Sequence, residues 1–122
     1  NTGHVALMDG RAYRVPYVLR SMDLWQQAAG WLGADVGWRD RVGLKLAFTE
    51  AEAGELAHQV AETREQGGVA EMVGANRARQ IEPAVSSRVL AAAWTPREGH
   101  ANPLLLANAF TAALAHNWPR RK

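Results

Sequence analysis

Four histidines, at positions 4, 58, 100 and 116, are the first candidates for chemistry in this 122-residue sequence. None lies three or four residues from another, the spacing that would set two imidazoles on one helix face around a metal. The sequence has no cysteine, so thiolate zinc sites, disulfides and a cysteine nucleophile are excluded. Ser21, Ser86 and Ser87 are the available hydroxyl nucleophiles, but none stands in a strand–turn–helix elbow. Ser86-Ser87 reads as a turn. Glu50, Glu52, Glu55, Glu62 and Glu65 fall together on one predicted helix, where acids normally form the wet face rather than an acid–base pair. Gly30, Gly33 and Gly37 do not spell G-x-G-x-x-G and follow a helix rather than a strand. This stretch therefore does not cradle a dinucleotide by that route.

These residues must be positioned by a mixed set of elements. Gly3, Asp9 and Gly10 make the first segment turn-like. A helix is predicted from Pro16 to Trp31, with Val15, Val18, Leu19, Met22, Trp25, Ala29 and Leu32 on one face. Gly30 and Gly33 mark its end. Val36–Arg39 and Val42–Thr49 read as two strands around Asp40-Arg41, and in the second Leu44, Leu46 and Phe48 alternate with Lys45, Ala47 and Thr49. Thr49 and Glu52 form a capping box for a helix with Ala53, Leu56, Ala57 and Val60 on its apolar face, stopped by Gly67-Gly68. A short strand (Val69–Val73), a short helix (Ala75–Ile81) and an apolar strand (Val89–Thr95) follow. Asn102-Pro103 caps a last helix that carries Leu106, Phe110, Ala113 and Leu114 toward a core. The expected fold is α+β, with about four helices on a small antiparallel or mixed sheet, in the order α-β-β-α-β-α-β-α.

Composition narrows the function classes. The apolar fraction is 48% and the charged fraction 21%, a globular balance. Alanine supplies 23 residues, so the core is thin and gains little at about 25 cal/mol per Å² of apolar surface. No apolar run nears the roughly 20 residues of a membrane span, and nothing in the sequence resembles a secretory signal. These features, with the lack of cysteine, fit a cytoplasmic protein. Three of the basic residues, Arg120, Arg121 and Lys122, sit at the very end. The remaining body is close to neutral, so a nucleic-acid partner is not expected. Of the five tryptophans, Trp25 is assigned to the core and Trp118 to an exposed contact. The start at Asn1 without an initiator methionine is what a cleaved product or a piece of a longer polypeptide would show.

The order of landmarks from Leu19 to Ala115 resembles the substrate-domain part of FAD-dependent amino-acid oxidases and dehydrogenases. Four stretches carry it: LRSMDLWQQAAGWLGADVGWR, VGLKLAFTEAE, ARQIEPAVSSRVLAAAW with Glu82-Pro83, and PREGHANPLLLANAF. The last is similar to a Gly-His-x-Asp-Pro turn before a helix, with Asn102 in place of the aspartate. Asp40-Arg41-Val42-Gly43 replaces a Thr-Gly-Gly. The resemblance implies one unit, residues 1–122, with 1–14 a connector from an FAD domain elsewhere in the parent chain. It implies that Asn1, Thr2, Gly3 and His4 lie on the cofactor side, His4 standing where the family has glycine. Arg39, Lys45, Arg97 and His100 are the substrate-side candidates, and no residue is assigned a catalytic role. The implied reaction is oxidation of the C–N bond of an amino acid or secondary amine by hydride transfer to flavin. The cofactor would be FAD in the parent, with none bound to the segment, which would be inactive in isolation. Its partners would be that FAD domain and a small substrate, and a homo-oligomer is compatible. The alternative is a stand-alone protein-interaction module with exposed tryptophan faces.

Overall fold

The computed structural model describes residues 3–117. Four helices and a four-stranded sheet alternate along the chain: β1 (His4–Val5), α1 (Val15–Leu32), β2 (Arg39–Ala47), α2 (Glu50–Glu65), β3 (Glu71–Gly74), α3 (Ala75–Ile81), β4 (Ala91–His100) and α4 (Pro103–Asn117). A single 3₁₀ turn, Ala12–Arg14, leads into α1. The α+β class with a small antiparallel sheet is as expected.

β4 is the spine of the sheet. β2 pairs along one edge of it, while β1 and β3 share the other, at opposite ends; every pairing is antiparallel. The strand is buried on both faces, with Ala92, Ala93, Thr95, Glu98 and Gly99 almost inaccessible. Its alanines explain how: short side chains let a helix and two flanking strands approach closely. Ala47 and Ala93 form the floor on which Leu56 and Val60 of α2 pack, with Met8 and Ala70. α1 covers another part of the core through Val15 and Met22, against Leu7 and Val5.

Local chemistry sets the element ends. Glu52 N–H donates to Thr49 Oγ1 at 3.1 Å and Thr49 N–H donates to Glu52 Oε2 at 3.2 Å, the reciprocal capping box at the start of α2. Gly33, at φ +67°, closes α1 in the left-handed conformation. Asn102 Oδ1 accepts from Leu104 N–H at 3.0 Å and from Leu105 N–H at 3.3 Å, so it caps α4.

Several details differ from the sequence reading. The two strands placed around Asp40-Arg41 are replaced by one, β2: Val36, Gly37 and Trp38 lie in the loop before it, and Asp40 and Arg41 pair with Gly99 and Glu98 instead of turning. The irregularity lies in the partner strand. Arg41 opposes Glu98 while Gly43 opposes Thr95, so Pro96 and Arg97 together face Val42. Proline has no N–H to give a ladder, and a bulge absorbs it. β4 continues through this bulge to His100, so Gly99-His100 is strand rather than turn. The first segment contributes the short strand β1. On β2 the fully buried positions are Gly43 and Ala47, whereas Leu44 and Leu46 are half-buried and Phe48 is exposed. The burial there follows α2, which packs on the Ala47 face. On α4 the inward residue is Ala109, with Leu106 beside it against Ala28 and Val36. Phe110 and Leu114 remain exposed, because nothing in the described residues covers that side. Ala28 rather than Ala29 is the buried alanine of α1.

Candidate functional site

The pairing of three strands assembles a polar row at one end of the sheet. His4 of β1 is the cross-strand partner of His100 in β4, and His100 is in turn the partner of Arg39 in β2. Directly paired residues point to the same face, so the three candidates His4, His100 and Arg39 share one surface. Two residues earlier on β4, Glu98 opposes Arg41 on that same face. The N-terminal segment is fastened to this end, since Gly3 accepts a hydrogen bond from Ala101 N–H at 2.9 Å. A side chain could not replace it there. Gly3 has φ +75°, and a Cβ would lie 1.9 Å from the Ala101 carbonyl oxygen.

Glu98 is the centre of the row. Its side chain is buried, and its two oxygens are separately engaged: Thr95 Oγ1 donates to Oε1 at 3.0 Å, and His4 Nε2 lies 2.9 Å from Oε2. The bulge makes the first contact available, by bringing Thr95 and Glu98, three residues apart, to one face. Gly43 makes room for it. A Cβ at that position would stand 2.3 Å from the Glu98 carboxyl carbon and 2.4 Å from Thr95 Oγ1. Every buried side-chain nitrogen and oxygen among the described residues has a partner, as buried polar groups require.

The remaining sequence candidates are not part of this row. Lys45 lies farther along β2, opposite Ala93, and its Nζ donates to Gln59 Oε1 of α2 at 2.9 Å. Arg97 sits at the bulge and pairs with Asp23 of α1 at 2.6 Å, a strut between sheet and helix. Asn1 and Thr2 fall outside the described residues, as does Trp118. Arg39 is exposed, with one guanidinium nitrogen on the carbonyl of Trp38 at 2.7 Å. The sequence reading passed over Glu98, Thr95 and Gly43. Glu98 lies two residues before His100 on β4 and hence on its face, a relation hidden in the sequence because Gly99-His100 reads as a turn. The bulge that recruits Thr95 was marked only by Pro96.

The opposite face of this sheet end is closed by aromatic rings. Trp38 lies over Gly99, where a Cβ would meet the indole at 1.9 Å, and it stacks on Trp25 with ring centroids 5.6 Å apart. Trp38 Nε1 donates to Asp40 at 3.2 Å. Two of the tryptophans thus build a wall for the site rather than a free contact surface, with Trp25 half-buried. Trp31 is more than half exposed, at 55%, edge-on to Phe110. His58 is a surface residue 3.4 Å from Glu62, and Ser86 Oγ accepts from Arg88 N–H at 3.2 Å in a turn, as read from the sequence. Among the described residues no group of three His, Cys, Asp or Glu is placed to hold a metal. No described helix is long and apolar enough to cross a membrane.

The described residues contain no glycine-rich strand-to-helix turn: Gly30 and Gly33 lie in and just after α1, and Gly37 in the loop beyond. A dinucleotide phosphate would find no cradle there.

The FAD dependent oxidoreductase family (DAO) matches over residues 1–117. Among solved structures, glycine oxidase from Geobacillus kaustophilus is similar with 27% identity and a TM-score of 0.82, over 93% of this chain and 32% of that one. L-Proline dehydrogenase from P. horikoshii gives 23% identity and a TM-score of 0.81, over 96% of this chain and 31% of that one. Glycine oxidase from Bacillus cereus gives 21% and 0.80, over 93% and 32%. Comparison with curated proteins gives no match. The chain spans about a third of the length of these structures. With the family match running through nearly every residue, the chain belongs to the FAD-dependent oxidoreductases.

Proposed function

We propose that this chain is the substrate-domain segment of an enzyme that oxidises the C–N bond of an amino acid or secondary amine, and that it is inactive in isolation. The observation that carries this reading is the row of His4, His100 and Arg39, gathered from three strands at the sheet end where Gly3 is fastened, in a chain of this family. Bound in the parent, FAD would supply the hydride acceptor; the protein's part is to bind and orient. Arg39 offers a fixed cation to an anionic group of the substrate, and His4 and His100 offer hydrogen bonds beside it. The Trp25–Trp38 stack stiffens the sheet behind them. Lys45 and Arg97, engaged by Gln59 and Asp23, serve the packing of α2 and α1 in this reading.

The parent polypeptide, loaded with FAD and mixed anaerobically with amino acids and secondary amines, tests the reading. Bleaching of the flavin by one of them, with release of the corresponding oxo product and ammonia or amine, is the expected result. In that assay R39A should raise KM for a carboxylate-bearing substrate by roughly 10-fold or more, as loss of a charge-assisted contact does. A parent whose flavin is reduced by no C–N substrate would contradict the assignment.

A further inference from the structure

Among the described residues Glu98 is the only ionisable side chain that the fold buries. Burial of a carboxylate is costly unless its oxygens are hydrogen-bonded, and this one is accommodated by specific arrangements. Gly43 yields the space that a methyl group would take, the bulge at Pro96-Arg97 turns Thr95 onto its face, and the Thr95 hydroxyl holds Oε1. The second oxygen is directed at His4 Nε2, 2.9 Å away. An ionised carboxylate only accepts hydrogen bonds. Opposite an ionised carboxylate the imidazole donates from Nε2, and its Nδ1 has no hydrogen-bond partner among the described residues. The His4 side chain is 53% exposed, so Nδ1 is within reach of a ligand.

We propose that Glu98 is a positioning residue: anchored by Thr95, it fixes the His4 ring with Nε2 protonated and presents Nδ1 as a lone pair for an N–H or O–H donor of a bound ligand. A carboxylate behind an imidazole selects tautomer and orientation in this way. The charged groups around the ring are Glu98 and His100 from β4, Arg39 and Arg41 from β2, and Asp9 and Arg14, whose ion pair lies along the same groove. Of these, only Glu98 is hydrogen-bonded to it. The proposal rests on the reading above only in treating this sheet end as the side that meets a ligand.

The test is made on the full parent polypeptide with ring-labelled histidine. Long-range ¹H–¹⁵N spectra at alkaline pH assign the His4 tautomer, with the H4G variant identifying its signals. The wild type should favour the Nε2–H form by at least about tenfold, the effect of one charge-assisted hydrogen bond. E98Q offers an amide that donates as well as accepts, and should lower that ratio by about fivefold or more; T95V should give a smaller change of the same sign. A merely structural Glu98 would alter the melting temperature without altering the tautomer. A wild-type ring in the Nδ1–H form, or a ratio that T95V and E98Q both leave unchanged, overturns the proposal. The wild-type spectrum alone decides this if E98Q does not fold. Flavin takes no part in the readout, so a parent that failed to bind FAD would refute the functional reading and not this one.

Discussion

Two glycines on strands carry the site, and neither is needed for its backbone conformation. Gly43 gives way to the Glu98 carboxylate and Gly99 to the Trp38 ring. G43A would force the carboxylate off Thr95 or bend β2. In the parent polypeptide it should cost about 1–3 kcal/mol, as overpacking of a tight site does, measured by urea unfolding. G99A should cost a similar amount of about 1–3 kcal/mol and should also change tryptophan fluorescence, because it lifts Trp38 from its stack with Trp25. The ion pair between Arg97 and Asp23 behaves differently. It is short but partly exposed, at 34% and 46%, so D23N should cost no more than about 1 kcal/mol and less in high salt. A loss of several kcal/mol on D23N would show that Arg97 is more than a strut.

The sequence is most legible at the level of elements where local chemistry alone decides them. Thr49 and Glu52 announce the start of α2, Asn102-Pro103 that of α4, and Gly33 the end of α1. T49A should lower stability by about 1 kcal/mol, with faster amide exchange confined to the first turn of α2. What was not legible depends on long-range pairing. Asp40-Arg41 has turn composition but is drawn into β2 by Gly99 and Glu98 across the ladder. The His4–His100–Arg39 row was present as three separate candidates, yet its convergence needs a register between residues 96 apart in sequence, at 4 and 100. Glu98 was missed because nothing local distinguishes a buried glutamate from a wet one. α4 was misread for a related reason. Its apolar residues run around the helix, so period alone cannot say which of Leu106, Ala109, Phe110 or Leu114 faces inward. That helix leaves Leu104 at 77% and Leu114 at 58% exposure, beside the half-open Trp31–Phe110 contact. The isolated segment should therefore self-associate, and L104Q with L114Q should reduce its sedimentation coefficient toward that of a monomer without loss of helix content.

For the molecule as a whole, a thin alanine core, an uncovered apolar helix and a site open on one side are consistent with a segment that is completed by neighbours. The family match and the span of about a third of the similar structures point the same way. The described residues offer polar groups at a sheet end and contain no glycine-rich strand-to-helix turn. The central proposal is that cofactor and chemistry belong to the parent and orientation to this segment. Flavin stoichiometry tests it most directly, by measuring absorbance near the flavin band for the purified 122-residue chain and for the parent polypeptide after incubation with FAD and gel filtration. The expected result is one flavin per parent chain and none on the segment. Stoichiometric flavin on the segment alone, or a parent that retains none, would contradict it.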